Sequence, residues 1–294
     1  MTVDTTYEPY SEDEGYISAN EALMATLDLS DVRRVADLAC GTGLMSQQLL
    51  KRKPNLAICG IDLDAAQIEI AGRKYAGMGV PVGSLEDWRA AGEAESGAVH
   101  LRVQSAMELP FADDEIDLVV IGNAIHMMPN KQDFVKEVAR VLRPGGHLVF
   151  NSVFYVGTFP PGSEAVFTEW MKEATLVLFE MNDARKAAGQ APIPRQRGKG
   201  TKAFSKGWLS AEEWAAMLED AGFDITRVNH RNVPISREGL ALVGAYGGLA
   251  EVLMSGYPVD IASTCLQEAA GRAFDNLGIT EVPRNWLEMT ARRT

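Results

Sequence analysis

The chain is poor in cysteine: Cys40, Cys59 and Cys265 are its only three, far apart and without a CxxC or Cys/His spacing. That excludes a disulfide framework and a zinc site, and a reducing compartment such as the cytoplasm is expected. Positive charge is also scarce, with 28 Lys and Arg against 40 Asp and Glu and a net charge of -12. An acidic surface repels a phosphate backbone, which argues against a nucleic-acid partner. Long apolar runs are missing as well. The stretch "GLALVGAYGGLA" from Gly239 is glycine-rich and falls short of the roughly 20 residues a membrane helix needs. The beginning, "MTVDTTYEPYSEDEGY", is acidic and polar where a signal peptide would be basic and then apolar. No integral membrane segment and no metal-ligand cluster are expected; a small molecule is.

The chain does have enough apolar residues for a core, 46% of 294, arranged in an alternation of strand-like and helix-like segments. Strands are expected over 32–38, 56–61, 99–103, 116–121 and 147–153, with helices over 44–51, 65–75 and 131–142. Such alternation gives a parallel sheet covered by helices. The stretch 79–98, with Pro81 and four glycines, reads as a surface excursion, and "RPGG" from Arg143 as a turn that launches the fifth strand. A long helix over 163–188 follows. From Ala184 to Ala211 come Arg185, Lys186, Arg195, Arg197, Lys199, Lys202 and Lys206 without a single acid. "SAEE" at Ser210 is a capping-box signature. It opens a helix to Ala221, and then come a strand over 223–233, helices over 238–254 and 260–276, and a last strand in "RNWLEMTARR".

The chemistry concentrates in "VADLACGTGLMSQQLL", residues 35–50. A strand runs into Gly41 and Gly43, whose missing Cβ atoms admit a ligand to the backbone, and then into a helix whose free amides welcome an anion. Two cofactor classes use this geometry. As a dinucleotide fingerprint it reads Gly41-x-Gly43-x-x-Ser46, with Asp62 placed 21 residues after Gly41 to hold a ribose. Asp37, four residues before Gly41, separates the two: it would repel a pyrophosphate but would attract the ammonium of an amino-acid moiety whose carboxylate faces the helix start. That pattern suits S-adenosylmethionine.

"DLACGTG" resembles the first motif of the class I S-adenosylmethionine-dependent methyltransferases, and three further stretches agree in order: "ICGIDLD", "QSAMELPFADDEIDLVV" and "VARVLRPGGHLVF". The likeness covers about residues 33–153. The tail "WLSAEEWAAMLEDAGF" is similar to the small-molecule branch that includes quinone, sterol and natural-product methyltransferases. The resemblance implies an α/β fold with a Rossmann-like doubly wound sheet, mostly parallel with an antiparallel last strand, carrying helical lid insertions. It divides the chain into an N-terminal arm and helix (1–30), a cofactor-binding core (31–153), a helical and basic insertion forming a substrate lid (154–209), a core helix and strand (210–233), a second helical insertion (234–283) and the last core strand (284–294). The implied cofactor contacts are Tyr16, Asp37, Ala39, Gly41, Gly43, Asp62, Leu63, Ser105, Ala106, Met107 and Asn123. Two positions depart from the family pattern: Ser105 stands where an adenine-binding aspartate is frequent, and Ala39 replaces the motif's first glycine.

The implied reaction is in-line methyl transfer to a small, hydrophobic metabolite such as an isoprenoid, a quinone-like ring or an aromatic natural product. A base is needed only where the acceptor must lose a proton; the candidates are His126 in "GNAIHMMPN", Glu180 and Tyr155, with His230 behind them. Met127 is expected to line the acceptor site, and Arg195 and Arg197 to grip an anionic group on the substrate. Two other readings compete: a non-catalytic module that only binds S-adenosylmethionine, and a nicotinamide-dependent oxidoreductase.

Overall fold

The runs "RVADL", "AICGID" and "IDLVVIG" lack the polar alternation of a strand with one wet face, so they demand cover on both sides. The computed structural model describes residues 8–94, 97–196 and 207–294. Ile17–Thr158, Trp208–Arg231 and Trp286–Thr294 make up one compact unit, the sheet unit. Among the described residues its strands are β1 (Arg34–Leu38), β2 (Ala57–Asp62), β3 (Ala98–Val103), β4 (Ile116–Gly122), β5 (Leu142–Ser152), β6 (Phe223–Asn232) and β7 (Asn285–Arg293), in the order β3-β2-β1-β4-β5-β7-β6. The pairs β3/β2, β2/β1, β1/β4 and β4/β5 are parallel. β7 lies antiparallel to β5, with Phe150 opposite Met289. Along β4, Val119 and Ile121 join the core on one face with Phe134, Phe150 and Trp214, while Leu118 and Val120 join the other with Leu49, Ile58 and Tyr75. The order reverses between β1 and β4, which opens a crevice at the carboxyl ends of the strands.

Three local readings change. The stretch 79–98 is no mere excursion, because it contains the helix Leu85–Ala94. Ser84 and Asp87 start that helix by exchanging side-chain and backbone hydrogen bonds (2.8 and 3.1 Å), and Trp88 buries its ring against Phe111. "RPGG" lies inside β5 as a bulge that shifts the register between Ile116 and Leu118. A Cβ on Gly146 would come within 3.0 Å of the Asp117 carbonyl, so the bulge needs glycine there. The helix expected over 238–254 is two helices, Arg237–Ala245 and Gly247–Leu253, because Tyr246 takes an extended backbone between them. The Ser210 capping box forms as read, with Ser210 N donating to Glu213 Oε2 (2.7 Å) and Glu213 N to Ser210 Oγ (3.2 Å).

The second unit, Met1–Tyr16, Phe159–Gly207 and Asn232–Asn285, is helical. Its helix Glu164–Ala187 packs on Val259–Leu277, pinned where Trp170 Nε1 donates to the Leu266 carbonyl at 2.7 Å. Gly244 admits that contact, since a Cβ there would stand 2.9 Å from Leu266. Arg284 is buried with its guanidinium over Phe159 and Phe167. A two-residue ladder pairs Ile235–Ser236 with Glu281–Val282.

At the amino end of β4 in the sheet unit, one carboxylate ties three segments. Asp117 Oδ2 accepts from the Arg33 and Arg34 amides (2.8 Å each), and Oδ1 accepts from Arg143 Nε (2.5 Å). Asp117→Ala strands those donors and is expected to destabilise the chain by about 1–3 kcal/mol, a change measurable by chemical denaturation.

Candidate active site

β1 ends at Leu38, and the chain then enters left-handed backbone at alternate positions: Ala39 (φ 51), Gly41 (φ 52) and Gly43 (φ 83). Such conformations are cheap for glycine and strained for alanine, and strain of this kind gathers at functional sites. Gly43 has a second reason to be glycine, because a Cβ there would stand 2.6 Å from the Tyr75 hydroxyl. A Cβ on Gly41 would meet nothing nearer than Gln67 Oε1 at 3.8 Å, so this stretch of backbone is open to approach. The turn is tied to the next strand by Cys40 N donating to the Ile61 carbonyl (3.1 Å) and Gly41 N to Asp62 Oδ2 (2.8 Å).

Asp37, the fourth residue of β1, is 1% exposed. Its Oδ2 accepts the Ser46 hydroxyl at 2.5 Å, and its Oδ1 has no hydrogen-bond partner. Burial pushes the Asp37 pKa up to about 7, opposed by the Ser46 side chain and amide and reinforced by the charge of Asp62. Gln67 Oε1 is a second buried acceptor without a partner. The sequence pattern presents Ser46 only as a substitute for a third glycine and carries no signal for Tyr75 or Gln67, which reach the turn from the helix Ala65–Gly77.

β2 and β3 continue the site. Asp62 Oδ1 accepts from Asp64 N (2.9 Å), which with the Gly41 bond fixes its carboxylate between two backbone amides. Leu63 beside it is 73% exposed. After β3, Gln104 N donates to the Asp62 carbonyl (2.9 Å) and Met107 N to Ser105 Oγ (3.2 Å), while Ala106 is buried. The strand order β3-β2-β1-β4 therefore gathers Asp37, Ala39, Gly41, Gly43, Asp62, Leu63, Ser105, Ala106, Met107 and Asn123 at neighbouring strand ends. Tyr16, assigned to the other unit, is buried, and its amide donates to Asp13 Oδ1 (3.0 Å).

At the ends of β4 and β5 the amide of Asn123 serves the scaffold. Asn123 (φ 50) gives its backbone N–H to Asn151 Oδ1 (2.8 Å), and its Oδ1 accepts from Val153 N (2.9 Å). Asn151 Nδ2 donates in turn to Asn20 Oδ1 (2.9 Å). His126 is buried, with Nδ1 3.2 Å from Ser152 Oγ and its ring against Phe154 (centroids 4.3 Å). Met127 next to it is 48% exposed. Tyr155 is buried and its hydroxyl donates to the Gly157 carbonyl (3.1 Å), so at His230 Nδ1, 2.9 Å away, it accepts. Burial pushes the Tyr155 pKa up to about 12, which suits it to hydrogen bonding rather than to taking a proton.

The remaining candidates belong to the helical unit. Glu180 is exposed and held by both guanidinium nitrogens of Arg272 (2.6 and 2.8 Å), a pairing that lowers its pKa. Within its unit Glu180 is thus engaged in an ion pair. Arg195 lies over the Tyr257 ring (5.4 Å to the centroid), while Arg197, Lys199, Lys202 and Lys206 lie outside the described residues. Among the described residues no group of three or more His, Cys, Asp or Glu could hold a metal, and no helix is long and apolar enough to cross a membrane.

Comparison with known proteins gives a consistent result. Residues 36–150 match the family model of the methyltransferase domain. The methyltransferase GfsG of Streptomyces halstedii is 33% identical over 147 residues, which span 50% of this chain and 47% of that protein. The demethylmenaquinone methyltransferase of Lactiplantibacillus plantarum is 29% identical over 232 residues, 78% of this chain and 83% of that one. In fold, the YcgJ protein of Bacillus subtilis superposes with a TM-score of 0.53 at 18% identity, covering 94% of this chain and 98% of the other. The glycine turn and its two acids, Asp37 and Asp62, thus lie within residues 36–150, the segment that matches the methyltransferase domain.

Proposed function

We propose that this protein transfers a methyl group from S-adenosylmethionine to a small hydrophobic metabolite of the isoprenoid, quinone-like or aromatic natural-product kind. The observation that carries the donor is Asp37 Oδ1, a buried carboxylate oxygen with no partner beside the glycine turn. A buried acceptor left unsatisfied calls for a donor, and a cation satisfies it best. The amino-acid end of S-adenosylmethionine supplies an ammonium for Asp37 and a carboxylate for the amides of the helix Leu44–Arg52. Each Asp62 oxygen accepts one backbone amide and keeps a further lone pair for a ribose hydroxyl. Leu63 and the segment 105–107 would take the adenine.

When bound, the cofactor supplies a methyl group on a sulfonium, which is the reactive chemistry. The chain's own task is to hold an acceptor close and aligned, an effect worth up to about 7–11 kcal/mol. Apolar surface supports an oily acceptor: Leu63, Val103, Met127 and Val156 are all exposed, and each lies at or just past the carboxyl end of one of β2 to β5. Relatives named for demethylmenaquinone point the same way. Where an acceptor must lose a proton, His126 is the titratable side chain at the end of β4, oriented through Nδ1 by Ser152. Arg195 is kept as a contact for an anionic head group.

Three outcomes are expected. S-adenosylmethionine at about 100 times its dissociation constant should stabilise the protein by roughly 2.7 kcal/mol in thermal denaturation; Asp62→Ala should remove the shift, and a shift with NAD alone would overturn the donor assignment. Calorimetry across pH should show affinity rising about tenfold per unit up to about pH 7 and then levelling, because the ammonium binds only ionised Asp37, with a proton released on binding below that point. In the ligand-free protein, Asp37 has a folded pKa above its unfolded value, so its contribution to stability is fully present below about pH 4 and is lost as pH rises through about 7. The melting temperatures of wild type and Asp37→Asn should therefore diverge over that window, with Asn the more stable at pH 8.

A further inference from the structure

The side chain that governs Asp37 is not itself open to a ligand. Ser46, the third residue of the helix Leu44–Arg52, is completely buried, nine positions along the chain from the carboxylate it touches. A serine hydroxyl has one proton to give, and here it goes to Asp37 Oδ2. That bond fixes the rotation of the carboxyl group, so the oxygen left without a partner is always Oδ1. Beneath Gly43 stands Tyr75, also buried, whose hydroxyl donates to the Gly43 carbonyl at 3.3 Å. The space that a Gly43 side chain would fill is occupied by this tyrosine, which packs against the turn just before the helix that carries Ser46.

We propose that Ser46 is a positioning residue for the methyl donor, holding Asp37 so that Oδ1 faces the donor's ammonium. This rests on the donor assignment made above. Ser46 acts through Asp37 and touches no part of the donor. A hydrogen bond given to a carboxylate also favours its charged form, and at Asp37 it works against burial. The other titratable groups facing Asp37 are Asp62, whose charge opposes its ionisation, and Cys40, Cys59 and Tyr75, all three held neutral by burial. Ser46 is thus the side chain that supports the charge on Asp37.

The test compares two ligands on two variants by calorimetry. S-adenosylmethionine carries the ammonium; 5'-methylthioadenosine keeps the adenosine and lacks the amino acid. Ser46→Ala removes the hydroxyl, and Ser46→Cys keeps the volume while offering a poor donor. At pH 7 both variants should bind S-adenosylmethionine about 10- to 100-fold more weakly, the range for losing a hydrogen bond to a charged group. Both should bind methylthioadenosine within about twofold of wild type, and the rise of S-adenosylmethionine affinity with pH should move upward by about a unit or more, since each unit reflects a tenfold change. Unchanged S-adenosylmethionine binding in both variants would overturn the proposal. So would equal weakening of both ligands, which marks a merely structural serine. If wild type binds neither ligand, the donor assignment itself fails, an outcome separate from either of these.

Discussion

Burying Asp37 at the end of β1 opposes folding whenever that side chain is charged, and the surrounding chain is arranged so that the opposition is only partly relieved. Ser46 gives its hydroxyl, the helix start lends the positive end of its dipole, and then the help stops, with one oxygen unsatisfied. A fold selected for stability alone would place an asparagine or an apolar residue there. The left-handed backbone at Ala39, Gly41 and Gly43, the tyrosine packed beneath Gly43 and the tie from Gly41 to Asp62 all follow from keeping this acid close to a turn that must stay open.

The sheet supplies the geometry that makes one acid useful. Because β1 lies beside both β2 and β4, residues separated by 86 positions along the chain, from Asp37 to Asn123, end up at adjacent strand ends. The same order carries exposed apolar side chains to the ends of successive strands, a placement that would be a liability on a surface without a partner. At the opposite end of the sheet, Asp117 joins β4 to the start of β1 and to the bulge of β5, so the amino ends are clamped by charge while the carboxyl ends stay available for chemistry.

Much of this was legible in the amino-acid sequence, for reasons that differ from element to element. Parallel strands buried on both faces leave apolar runs that need no context, and "IDLVVIG" could hardly be anything else. The helix Leu85–Ala94 was hidden because Pro81 and the glycines around it signal a loop, while Trp88, the residue that anchors it, finds Phe111 only in the folded chain. Glu180 follows an apolar stretch and looks like a buried acid until Arg272, 92 residues later, meets it in the open. Tyr155 and His230 each read as isolated, and their mutual bond spans 75 residues. The gathering of Asp37, Gly41, Gly43 and Asp62 around one turn was readable because it depends on spacing within that turn and the neighbouring strand. The contacts of Ser46 and Tyr75 were not, because they depend on which side chain lies underneath.

The amide relay from Asn20 through Asn151 to Asn123 joins three stretches that have no covalent reason to stay together. Each joint is a neutral carboxamide or a backbone group, so none of them gains or loses a proton at any pH the protein would survive. The carboxyl ends of β1 and of β4 and β5 are therefore built from different materials. One holds a buried carboxylate; the other is joined by this relay of neutral amides, with the titratable His126 beside it on Ser152. Through Asn20, the helix segment that follows Tyr16 is fastened to the end of β5 by a bond whose strength does not depend on pH.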